Sequence, residues 1–119
     1  MAHHRVDDMK VIPATKILNL IKRGDPVRCR RKIIKGDLDI GKLHLQEEDD
    51  KFLVTSIIEI VDSKICGDVS FSDVIFNNGF DKSVDFTKTN FNGRVNFDKA
   101  SFCNGADFIE SEFNKKVNF

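Results

Sequence analysis

The 119-residue sequence has no tryptophan, no tyrosine, only two prolines and only three cysteines, and its 19 basic residues balance 19 acidic ones. Each scarcity excludes something. Balanced charge gives no overall field to attract nucleic acid or an anionic membrane surface. No run approaches the roughly 18 apolar residues needed to span a bilayer, and no signal-peptide pattern is visible, so a membrane is not expected as a partner. Cys29, Cys66 and Cys103 are odd in number and widely spaced, without a CxxC pair and with no histidine close in sequence. That argues against a disulfide framework or a metal site and for a reducing, cytoplasmic setting. Neither metal nor cofactor is expected.

What the chain does have is phenylalanine. Ten of its eleven Phe lie between residues 71 and 119. From Phe86 they run Phe91, Phe97, Phe102, Phe108, Phe113 and Phe119, with intervals of five and six in strict alternation. This is an eleven-residue repeat, "VDFTKTNFNGR", "VNFDKASFCNG", "ADFIESEFNKK" and "VNF". Two positions before each Phe stands a small or β-branched residue (Val84, Thr89, Val95, Ala100, Ala106, Ser111, Val117), and directly before most a short polar one.

A helix would place these Phe on two stripes roughly 140° apart. The segment is also rich in Asn, Asp and Gly and has no Leu, which is poor helix chemistry. A long strand fails because an odd step reverses the face. A short strand in which residues i−2 and i both point inward, followed by a tight polar corner, satisfies the pattern. Repeated, it winds into a solenoid whose coils pair as parallel ladders about 4.8 Å apart.

The small residue, the Asp or Asn, and the large apolar centre in "KASFCNGADF" and "GADFIESEF" resemble the Phe-centred branch of the pentapeptide-repeat family. The resemblance covers roughly residues 33–119. It implies an all-β solenoid, a right-handed quadrilateral β-helix. Alternating five and six residues implies coils of about 22 rather than 20, so every second corner is expected to be wider. The expected core column is Phe71, Phe76, Phe80, Phe86, Phe91, Phe97, Phe102, Phe108, Phe113 and Phe119. Upstream, Ile60 and Ile65 keep the lattice, with Val69 and Val74 in the i−2 slots. Ile33, Leu38 and Leu43 are the expected centres of the first coil. An irregularity is expected over residues 77–82, with Phe80 still inward.

Residues 1–12 are read as a flexible tail, 13–26 as a capping helix with Ile17, Leu18, Leu20 and Ile21 in one stripe, and 27–119 as the β-helix, all in a single domain. The run Glu47–Lys51 is read as a solvated loop.

No catalytic residue is expected. Of three histidines two lie in the tail and His44 points to solvent, and recurring carboxylates such as Asp85 and Asp107 follow from the repeat. The basic run holding Arg28, Arg30, Arg31 and Lys32 is read first as a charged edge strand that blocks aggregation, and second as a possible anion patch. The expected role is a non-enzymatic scaffold for an unidentified protein partner. The resemblance also implies an alternative, DNA mimicry directed at a topoisomerase such as DNA gyrase. From Cys66 onward, however, eight acidic residues against six basic ones make a weakly charged rod. The terminal coil is expected to be open and sticky. That predicts either a homodimer through Phe108, Phe113 and Phe119 or a longer parent solenoid.

Overall fold

Strands of two to four residues recur along the chain, and all but one pair in parallel with a strand one coil away. The computed structural model describes residues 9–79 and 82–119. Its strands fall into four sheets, one for each side of a β-helix solenoid. The first side contains Lys10–Pro13, Lys32–Lys35, Lys64–Ile65, Asn90–Phe91 and Glu112–Phe113. The second contains Val27–Arg30, Ile58–Val61, Val84–Asp85 and Ala106–Asp107. Leu38–Asp39, Val69–Ser70, Val95–Asn96 and Val117–Asn118 form the third, and Glu47–Glu48, Lys51–Val54, Val74–Phe76 and Ser101–Phe102 the fourth.

The register reports the coil lengths. Val84 pairs with Ala106, Phe91 with Phe113 and Val95 with Val117, so the last coil is one pair of five–six repeats. Phe76 pairs with Phe102 and Ile65 with Phe91 across longer coils. The expected irregularity falls within those coils, where Asn78 donates to the Lys82 carbonyl at 3.1 Å. The expected inward position of Phe80 lies outside the described residues. Earlier, Val27 pairs with Ile58 and Leu38 with Val69, across a coil that is longer still. The extra length there is a hairpin. Glu47 and Glu48 pair antiparallel with Phe52 and Lys51, and Asp49 and Asp50 both take positive φ, 53° and 62°, as a two-residue hairpin turn demands. The expected open loop is thus an acidic edge strand.

Register stacks the inward residues in columns. Ile12, Ile34, Ile65, Phe91 and Phe113 share one. Cys29, Ile60, Phe86 and Phe108 share the second. Phe71, Phe97 and Phe119 stand in the third, and Val54, Phe76 and Phe102 in the fourth. Phe71, Phe76, Phe86, Phe91 and Phe97 are buried, while Phe102, Phe108 and Phe113 are half-buried at the last coil. Phe119, expected in the core, is 64% exposed because no coil follows to cover it in the structure.

The first coil corrects the sequence register. Ile34, not Ile33, is the buried centre, and Leu38 fills an i−2 slot while Ile40 is the next centre. Leu43 is only half-buried, in the 3₁₀ turn Ile40–Leu43. The tail is also shorter than expected, because Lys10–Pro13 pairs with Lys32–Lys35 as an edge strand.

Helix α1 spans Ala14–Arg23, inside the expected 13–26. Pro13 precedes it with extended φ and ψ. Gly24 ends it in the left-handed region at φ 75°, its N–H meeting the Ile21 carbonyl while Asp25 N–H reaches Leu20, a Schellman closure. Ala14, Ile17 and Ile21 are buried, with Leu18 and Leu20 half-buried. That apolar stripe covers the end of the solenoid core beside Leu38 and Ile40, where an uncovered coil would expose its columns.

Candidate functional site

Corners decide what the surface can present. After each five-residue step the chain turns through one non-glycine residue of positive φ. Between the second and first sides these are Arg31, Asp62, Lys88 and Glu110, and between the third and fourth sides Asp73 and Lys99. The polar residue before the centre sets up this turn. Asp39, Asp85, Asn96 and Asp107 each accept a hydrogen bond from the backbone N–H two residues on, at 2.9–3.0 Å. Such Asx turns explain the recurrent Asp or Asn of the repeat.

The same corner carries a row of buried or half-buried hydroxyls where the other sides carry mostly aliphatic residues or Ala. Thr89 Oγ1 donates to the Ile60 carbonyl at 2.8 Å and accepts from Ser63 N–H. Ser63 Oγ accepts from Lys32 N–H at 3.1 Å, and Ser111 Oγ donates to the Phe86 carbonyl at 2.6 Å. A tight corner leaves backbone groups without ladder partners, and buried backbone groups need them. The row therefore clamps coil to coil. In sequence it showed only as Thr89 and Ser111 standing among small residues in the i−2 slots.

The wider corners that follow six-residue steps are of a different kind. Gly67 packs on Gly36 and Gly93 on Gly67 so closely that an added Cβ would stand 2.3 Å from the carbonyl oxygen of the preceding glycine. Asp37 and Asp68 bridge these corners by accepting from Asp68 and Arg94 N–H, both at 2.8 Å.

The four basic residues expected as an anion patch do not act together. Arg28 and Arg30 point outward from the edge strand Val27–Arg30, and Arg28 is paired with Glu59 at 3.1 Å, a carboxylate that Lys82 also contacts. Lys32 is half-buried on the first side, paired with Lys10. Arg31 turns away at φ 56°. Its side chain lines a pocket of about 140 Å³ with Asp62, Ser63, Lys64, Lys88 and Asn90. The expected contact trio does come together, since Phe119 lies 5.8 Å from Phe108 and 6.1 Å from Phe113 between ring centroids.

Cys29 occupies a centre slot, and burial pushes its thiol pKa up against the opposing influence of Lys32 and Lys16. Cys66 and Cys103 are exposed thiols. Among the described residues no group of His, Cys, Asp and Glu is placed to hold a metal ion, and no helix is long and apolar enough to cross a membrane.

Four stacked parallel sheets and inward columns define a β-helix solenoid. Residues 80–119 match the family model described as pentapeptide repeats (9 copies), so that stretch is similar to the members of that family. No curated protein and no solved structure matches it.

Proposed function

We propose that this protein is a non-enzymatic scaffold that engages a protein partner through its side walls. The observation that carries this reading is the filled interior. Phe76 stacks on Phe102, Phe86 on Phe108, Phe91 on Phe113 and Phe97 on Phe119, with centroids 4.8–5.4 Å apart. Chemistry held inside a solenoid would need space there, and the rings occupy it. The walls, by contrast, offer rigid rows with one side chain per coil, such as Glu59, Asp85 and Asp107. The three free thiols are in keeping with a cytoplasmic location. The test is affinity capture from the native host with the parent chain and with Asp85→Asn, Asp107→Asn, which removes the wall charge and keeps the oxygen that closes each corner. A partner kept by the first and lost by the second supports the wall reading. Inhibition of gyrase supercoiling by the purified chain would favour the topoisomerase alternative instead.

We also propose that the last coil is a contact surface, taken either by a second copy of this chain or by the next coil of a longer parent solenoid. Each of the four sheets ends there in an unpaired strand, and such an edge is a template for another chain. Around that coil the sides run Ser101–Phe102, Ala106–Asp107, Glu112–Phe113 and Val117–Asn118. A two-fold axis lying across the first and third of these exchanges the other two. It brings the Glu110 corner of one copy over the Lys115–Lys116 corner of the other, so the rim charges match while the Phe columns meet.

A further inference from the structure

We propose that the pocket at the corner between the first two sides is a binding site for a small phosphate-bearing anion. Arg31, Lys64 and Lys88 line it together with Met9 and one carboxylate, Asp62, which among the described residues leaves two positive charges in excess. Among the described residues none of these four groups forms an ion pair. The Arg31 Nε is moreover buried with no hydrogen-bond partner. A buried charged donor without an acceptor is a costly arrangement, and turning the guanidinium toward an anion in the pocket would relieve it. Guanidinium N–H groups suit the paired oxygens of a phosphate, and two ammonium groups beside it complement a dianion better than a single carboxylate.

The fold makes the site rigid. Arg31, Asp62 and Lys88 occupy equivalent left-handed corner positions in successive coils. The hydroxyl row behind them ties those coils together, with Ser63 bonded to Lys32 N–H and Thr89 to the Ile60 carbonyl. The volume of about 140 Å³ accommodates an orthophosphate, given that a water claims about 30 Å³ in the liquid. A phosphorylated metabolite or a phosphorylated side chain would bring the same group.

The test is an NMR titration of the full chain with inorganic phosphate, against acetate and chloride at matched ionic strength. The Arg31 Nε–H and the Lys64 and Asn90 amides are expected to shift together and saturate with phosphate. Arg31→Gln should weaken binding at least tenfold, and Asp62→Asn should tighten it. Lys88→Gln, at an exposed corner, should weaken binding with the rest of the spectrum unchanged, and it serves if Arg31→Gln does not fold. Shifts that do not saturate, that survive Arg31→Gln and Lys88→Gln, or that acetate reproduces at equal concentration would overturn the proposal.

Discussion

Phe91 and Phe113, one coil apart, stack with ring centroids 4.8 Å apart and planes within 6°. That separation is the spacing of neighbouring strands in a sheet. The backbone pitch therefore sets the distance between stacked rings. Below them Ile65 and Ile34 continue the same column in aliphatic form. The phenylalanine-rich half and the aliphatic half are one lattice.

Stability should depend on mid-column residues. Phe97 is 2% exposed and its ring meets Phe71, Phe86, Phe102, Phe108 and Phe119. Phe97→Ala is expected to cost about 3–5 kcal/mol in denaturant unfolding. Lys99→Ala, two residues on and exposed, should change stability by less than about 0.5 kcal/mol. Equal effects would contradict the inward-column architecture.

Glycine is needed at two corners for different reasons. At Gly93 an added Cβ would sit 2.3 Å from the Gly67 carbonyl oxygen, so Gly93→Ala must push two coils apart and should cost about 1–3 kcal/mol or more. An added Cβ at Gly79 meets nothing within 4 Å among the described residues, but the residue has φ 74°. Gly79→Ala should cost only the left-handed backbone preference, about 1–2 kcal/mol. Chemical denaturation separates the two, and a larger loss at Gly79 would reverse the assignment.

The hydroxyl row predicts that Thr89→Val is harmful despite conserving shape. Thr89 is fully buried, and its hydroxyl serves both the Ile60 carbonyl and Ser63 N–H. Leaving those groups unpaired should cost about 1–3 kcal/mol. Thr89→Ser, which keeps the oxygen, should retain more stability than Thr89→Val. Thermal unfolding of the pair decides it, and a Val variant as stable as the parent would remove the clamp role.

Association through the last coil has a charge signature. Sedimentation at micromolar concentration should show a dimer that Phe113→Asp, Phe119→Asp dissociates. Glu110→Lys alone should weaken the dimer. Combining it with Lys115→Glu, Lys116→Glu should restore association, because opposite corners face one another. A parent that sediments as a monomer, or a triple variant no better than the single one, would refute this packing.

The alternating five and six steps of the phenylalanines carry the solenoid in the sequence, because no other regular backbone places residues at those steps on its inner surface. The same reasoning gives the length of the regular coil and the helical lid, whose proline start, apolar stripe and glycine stop are local signals. Local signals fail where neighbouring residues are alike. Ile33 and Ile34 are equally suited to a buried slot, and only pairing with Lys64 and Ile65 decides that Ile34 turns inward. Lys10–Pro13 reads as tail in sequence, and becomes a strand because Lys32–Lys35 presents it with an edge. The corner pocket lay furthest from view. Arg31, Asp62 and Lys88 meet because the hairpin lengthens one coil and the irregular segment lengthens the next. Those unequal lengths place like corners in line only once the chain is wound.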